Sequence, residues 1–293
     1  MRILITGASG RLGRYLIDAA MESGHEWTAW SGPRTGMPGS DVPLRPVDIT
    51  DREALECALD TANPDVVLHA AAISTPAEVV ADMALAWAVN VEATAGIANW
   101  CARHNRRLVT VSTDQVFDGA NGWYKEDDQP CPVAMYGRTK RAAELAGSLT
   151  PDCLVVRLSL LFGFSRSSRI GFFDSAVAAL RAGKPQMFFI DEFRTPLDFS
   201  TAANTLLRLS LSPVNGIVHL GGSERMSRFE LMTRVAPSLG LDQSLVGANL
   251  ISDAAGTEPR ARDLSLDCSH LREVFPGFRA PRVEEAIAAR RSA

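Results

Sequence analysis

The stretch "RILITGASGRLG" occupies residues 2–13, and its reading decides the fold. Arg2 to Thr6 form a short apolar run of the kind that makes a buried strand. Gly7, Gly10 and Gly13 follow at once, in G-x-x-G-x-x-G spacing, and open "RLGRYLIDAAMES" (11–23). That segment places Leu12, Tyr15, Leu16 and Ala19 on one helical face. Glycines set between a strand and a helix are far more informative than a lone triplet. Gly7 permits a tight turn, Gly10 lets backbone approach a pyrophosphate, and Gly13 lets the helix pack close. The helix start offers free N–H groups and a positive dipole end to phosphate. Ser9, Arg11 and Leu12 lie in the same turn and join the candidate cofactor contacts. The plainer reading is a glycine turn that holds no ligand.

Working outward, apolar runs alternate with amphipathic stretches. Strands are expected at 26–30, 65–72, 107–112 and 153–162, with a later one at "GIVHL" (216–220). Helices are expected at 51–62, at 77–104 throughout, and at 137–149, then at 171–182, 200–211 and 227–239. Continuous apolar strands separated by helices imply a parallel sheet covered on both faces. The expected fold is therefore α/β, a Rossmann-type doubly wound sheet with a smaller C-terminal substrate-binding part. The expected division gives residues 1–162 and about 196–222 to the dinucleotide-binding domain. About 163–195 and 223–293 form the smaller part.

Composition narrows the function classes. The chain has 293 residues, 46% of them hydrophobic, and a formal net charge of -4. That fits a soluble globular protein and gives no basic face for nucleic acid. No window approaches the roughly 18 apolar residues of a membrane span. The apolar run at the N-terminus is too short for a signal peptide. Cys57, Cys101, Cys131, Cys153 and Cys268 are scattered without C-x-x-C spacing, so neither a zinc site nor a disulfide framework is expected, and no metal. They read as small hydrophobes in a reducing cytoplasm. Small molecules, a second copy or a protein partner are the expected partners, with no membrane.

The second strand ends "WTAWSGPR". NAD sites of this type place an acid there for the ribose hydroxyls. Here the position falls near Ser31, with Arg34 beyond, and Arg11 follows Gly10. Absence of a carboxylate together with two arginines favours the 2′-phosphate of NADP over NAD, with NAD possible. "PVDITD" (46–51) fits a loop near the adenine, with Asp48 placed to accept from its amino group and Ile49 to lie beside the ring. Asp51 or Thr50 alternatively caps the next helix. Small Ala70, Ala71 and Ala72 end the third strand where a cofactor can lie against backbone. His69 reads as a half-buried strand residue.

"YGRTK" places Tyr136 and Lys140 at i, i+4 on one helix face. A neighbouring ammonium favours the phenolate, so Tyr136 can move a proton to or from a substrate oxygen. Lys140 can also bond the nicotinamide ribose. Thr113, at the C-terminal edge of the fourth strand, offers a hydroxyl to the same oxygen.

In order, "GASGRLG", "HAAA", "NVEAT", "STDQVFDG", "PVAMYGRTK" and "LDCS" resemble the extended short-chain dehydrogenase/reductase superfamily. Within it the chain looks like the dTDP-4-dehydrorhamnose reductase branch, which includes the regulatory β subunit of methionine adenosyltransferase. The resemblance implies a catalytic set of Thr113, Tyr136 and Lys140 that reduces the keto group of a nucleotide-linked deoxysugar with NADP. It gives Asn90 a structural or proton-relay role. The chain departs from the branch at Gln115, where a Tyr is usual, and at Leu160, where a Trp is usual. Both positions line the sugar pocket in the family, beside Asp114. Arg194, Arg260 and Arg262 are placed to meet a nucleotide diphosphate, or to pair with Asp191, Glu192 and Asp263. The alternatives are a non-catalytic NADP-binding regulatory subunit of the methionine adenosyltransferase β type, and a nucleotide-sugar epimerase or dehydratase.

Overall fold

The computed structural model describes residues 1–33, 42–253 and 259–289. The strand that opens the chain, β1 (Arg2–Thr6), runs into α1 (Arg11–Glu22) and then β2 (Glu26–Ser31) and the two-residue β3 (Arg45–Pro46). Helix α2 (Arg52–Ala62) leads to β4 (Val66–His69). Then come α3 (Pro76–Ala81), α4 (Met83–Trp87), a π-helical turn (Ala88–Glu92) and α5 (Ala93–His104). Next are β5 (Arg107–Thr113), a 3₁₀ turn (Asp114–Val116), α6 (Met135–Gly147) and β6 (Cys153–Leu158). These strands pair in parallel, in the order β3-β2-β1-β4-β5-β6. The order reverses between β1 and β4, which opens a crevice at the strands' C-terminal ends.

The chain then passes through β7 (Leu161–Phe162), α7 (Phe172–Arg181), β8 (Gln186–Phe189), β9 (Phe193–Arg194) and β10 (Leu197–Asp198). Helix α8 (Phe199–Ser210) and β11 (Gly216–Leu220) return to the sheet, where β11 adds a seventh parallel strand beside β6. The rest comprises β12 (Met226–Ser227), α9 (Arg228–Ser238), β13 (Val246–Asn249), α10 (Ser269–Val274) and α11 (Val283–Ala288).

Three apolar clusters account for the layers. One face of the sheet meets α1 and α8, through Ile5, Leu16, Val109, Val156, Ala202 and Leu206. The other face meets α2 and α5, through Leu4, Val67, Leu59, Ile97 and Trp100. Burial on both faces explains why the strands lack period-two alternation. A separate cluster of Phe162, Phe173, Val177, Leu231, Val235 and Ile287 is the core of a second lobe. Leu271 and Phe278 pack with the sheet layer instead.

Three sequence expectations are corrected. The stretch 77–104 is interrupted at Asp82 (φ -148, ψ 84), whose side chain accepts from Leu85 N and starts a new helix. A short polar residue that bonds its own backbone competes with helix continuation. The apolar run 153–162 is two strands: β6 in the main sheet, and β7 paired with β10. Pro46, expected in a loop, lies in edge strand β3, the kind of position where proline is tolerated.

Candidate active site

The glycine turn is built by close approach. Gly7 has φ +70, and a Cβ there would stand 2.6 Å from Ala71 N. The first turn therefore lies directly on the Ala70–Ala71 backbone, which larger side chains would push away. Thr6 Oγ1 accepts from Ala71 N at 3.2 Å and contacts His69 Nδ1 at 2.7 Å. Thr94 Oγ1 donates to Asn90 O and so accepts from His69 Nε2–H, 3.0 Å away. Burial pushes the His69 pKa down to about 3, with the Lys140 charge adding to it. His69 is thus a neutral strut, fully buried rather than half-buried. Helix α1 begins at Gly10 with no side-chain cap and no acid in its first turn. Its N–H groups are left for an anion. Ser9 and Leu12 sit half-buried in this turn.

Around the adenosine end, Ser31 is buried at the end of β2. Asp48 is exposed, and its Oδ1 accepts from Thr50 N and Oγ1 at 3.0 and 2.6 Å. Ile49 packs beside the Leu59 cluster. Asp51 caps α2, accepting from Glu53 N and Ala54 N. Arg34 lies outside the described residues. Arg11, expected to serve the 2′-phosphate, stands against Gly171 of the second lobe.

The C-terminal edge of β5 gathers the remaining groups. Thr113 Oγ1 donates to Asp114 Oδ1 at 3.1 Å and accepts from Gln115 N at 3.2 Å. Thr113 also hydrogen-bonds the Tyr136 phenol. Tyr136, Thr139 and Lys140 form the buried face of α6. Gly137 is what lets α6 sit here: a Cβ would overlap the Gln115 carbonyl oxygen. The sequence reading missed Gly137, although its place between Tyr136 and Lys140 was visible. Asn90 locks the same corner. Its Oδ1 accepts from Ile73 N at 2.8 Å, and its Nδ2 donates to Ile73 O and to Thr139 Oγ1 at 3.1 and 3.0 Å. The π-helical turn presents this side chain, as such turns often do at functional sites.

Burial dominates the electrostatics of this corner. The Tyr136 pKa is raised, by burial first and by the Asp114 charge, against the Thr113 hydrogen bond and the Arg11 charge. Burial thus favours the protonated phenol. Burial lowers the Lys140 pKa to about 8, opposed by Glu144 one turn along. Burial alone would raise the pKa of Glu144, but its hydrogen bonds to Arg157, Ser112 and Arg141 leave it lowered. Arg157 meets it at 2.9 and 3.0 Å, and Ser112 at 2.6 Å. This buried set ties α6 to β5 and β6.

On the second-lobe side, Arg194 Nε lies 3.3 Å from Asp114 Oδ2, and Arg194 Nη2 lies 3.6 Å from Glu192. Glu192 also meets Arg228 at 3.2 Å and Arg260 at 3.7 Å. Arg194 and Arg260 therefore pair within the chain, and Arg228 joins them without any motif that would have signalled it. Arg262 is exposed, and Asp263 pairs with Arg225. Leu160 is half-buried against the second-lobe core, and Gln115 is half-buried after Asp114. No described helix is long and apolar enough to cross a membrane.

Residues 1–290 match the RmlD substrate binding domain family. The chain is 31% identical to the probable low-salt glycan biosynthesis reductase Agl14 of Haloferax volcanii, covering 99% of this chain and 97% of the relative. It is 28% identical to methionine adenosyltransferase 2 subunit beta of Rattus norvegicus, over 96% and 84%. A hypothetical dTDP-4-dehydrorhamnose reductase structure from Sulfolobus tokodaii superposes with TM-score 0.84 at 30% identity, covering 97% and 98%. The Bordetella bronchiseptica enzyme WbmG, solved in complex with NAD, superposes with TM-score 0.82 at 26% identity, covering 100% and 93%.

Proposed function

The chain belongs to the RmlD substrate binding domain family, and from that premise we propose that it reduces a keto group on a nucleotide-linked deoxysugar, using NADP or, less favoured, NAD. One observation carries this reading: Thr113 stands beside Tyr136 at the C-terminal strand edge, and Lys140 lies on the same buried face of α6 as Tyr136. The cofactor fits the residues present. The glycines close the turn tightly onto the Ala70–Ala71 backbone, α1 starts uncapped, and Ala70, Ala71 and Ala72 keep the floor low. WbmG holds NAD on the same fold, which supports a dinucleotide in this crevice. A bound reduced nicotinamide would supply the hydride.

The chain's own groups handle the oxygen. Thr113 turns its one hydroxyl proton from Asp114 to the substrate carbonyl oxygen and so holds it. The neutral Tyr136 phenol gives that oxygen its proton as the carbon is reduced. The Lys140 ammonium steadies the resulting phenolate and bonds the nicotinamide ribose hydroxyls. Asp114, held by Ser159 and Arg194, fixes the wall beside them. Gln115, Leu160, Arg194, Arg260 and Arg262 face the sugar nucleotide in this reading.

NADPH oxidation with dTDP-linked 4-keto-6-deoxysugars tests it. The wild type should turn over, and Tyr136→Phe should lose about 10²- to 10⁴-fold in kcat. A wild type silent across a broad keto-sugar panel would sink the reductase. The second reading is a regulatory subunit, favoured by the methionine adenosyltransferase relative and by Gln115 and Leu160 in place of aromatic residues. A stoichiometric protein partner without any turnover would support it.

A further inference from the structure

Arg11 is the first residue of α1 and is half-buried, yet among the described residues its guanidinium makes no hydrogen bond or ion pair. Its position is well marked. A Cβ added to Gly171 would stand 2.5 Å from Arg11 Nη1 and 3.4 Å from Cδ. The side chain therefore crosses from the glycine turn to the backbone at the start of α7, in the second lobe. Its charge also reaches Tyr136. The sheet order separates the two ends of the crevice: Ser31 lies on β2, on one side of β1, while β4 and β5 lie on the other. A cation that lies against Gly171 and acts on Tyr136 is directed to the second lobe and the β5 side of the crevice rather than to the end marked by Ser31.

The geometry points to Arg11 as a clasp on the cofactor's pyrophosphate, joining the glycine turn to the second lobe and serving NADPH and NADH alike, rather than as a reader of the 2′-phosphate. This rests on the dinucleotide reading above. A guanidinium with no hydrogen bond or ion pair among the described residues offers donors in a fork that matches two phosphoryl oxygens. The uncapped N–H groups of α1 supply the other face of the same anion. Discrimination between NADPH and NADH then falls to groups near the end of β2.

The test is titration calorimetry of the wild type, Arg11→Gln, Arg11→Ala and Arg11→Lys with NADPH, NADH and ADP, which carries a diphosphate without a 2′-phosphate. Removing one charge-assisted contact should weaken all three ligands by roughly 10- to 100-fold in the Gln and Ala variants. The NADPH-to-NADH ratio should stay within a few-fold of the wild type. Arg11→Lys keeps the stem against Gly171 and should lose less, again equally. Loss confined to NADPH, or no loss with any ligand, overturns the assignment. A wild type that binds neither dinucleotide removes the cofactor reading itself, a separate outcome visible before any variant is made.

Discussion

At the scale of the residue, Lys140 carries the largest readable cost. Its ammonium is buried, and its pKa falls from the usual 10.5 to about 8. Between those values the unfolded chain binds the proton that the folded chain has released, so stability rises with pH across that window. Below about 8 both states are charged and the folded state bears the full cost, on the order of 3 kcal/mol from the shift. Lys140→Met should therefore unfold at higher denaturant than the wild type at pH 7, with the gap closing towards pH 10.5. A constant gap across that range would show that the charge is not its cause. Tyr136 and Lys140 were legible because i, i+4 spacing is a sequence property. Their titration was not, since it depends on burial and on the distant Asp114 and Arg11.

At the scale of the element, α6 is placed by an absence. Gly137 packs on the Gln115 carbonyl, so β5, its 3₁₀ turn and α6 form one unit that brings Thr113 to Tyr136. Gly137→Ala gains about 1 kcal/mol of helix propensity, but the methyl overlaps rigid backbone, which typically costs about 1–3 kcal/mol. The helix must shift, so kcat should fall by a larger factor than the small stability change implies. Comparing kcat with the denaturation midpoint checks this, and unchanged kcat would refute it. The sheet strands and most helices were legible because their burial is continuous and local. The break at Asp82 was hidden by the apolar pattern on either side, since one side-chain hydrogen bond to Leu85 N decides it. Strand β3, only two residues long at the sheet edge, has too little pattern to read.

At the scale of the molecule, the two lobes are joined across the candidate site by a charge cluster with Asp114, Arg194 and Glu192 buried at its centre. Asp114 from the β5 edge meets Arg194 of β9, and Arg194 meets Glu192, which Arg228 and Arg260 also hold. The sequence showed arginines and acids in separate segments, and only the fold decides which pair. If Arg194 is replaced by Met, Glu192 keeps two cations, but Asp114 is left with hydroxyl partners alone. Stranding a buried carboxylate in this way costs about 3–5 kcal/mol. The Asp114 pKa is already raised by burial, against the Arg194 charge. Without that charge it rises further, so the variant takes up its proton at a higher pH than the wild type. A group with a raised folded pKa is stabilised by protonation, so the deficit is full at neutral pH and shrinks as pH falls through the variant's Asp114 pKa. Arg194→Met with Asp114→Asn should recover most of the loss at pH 7, because the stranded charge is gone. Urea unfolding of the single and double variants at pH 7 and pH 5 measures both effects. A deficit independent of pH and not rescued by Asn would mean that Arg194 acts through packing, and that the Asp114 charge does not couple the lobes.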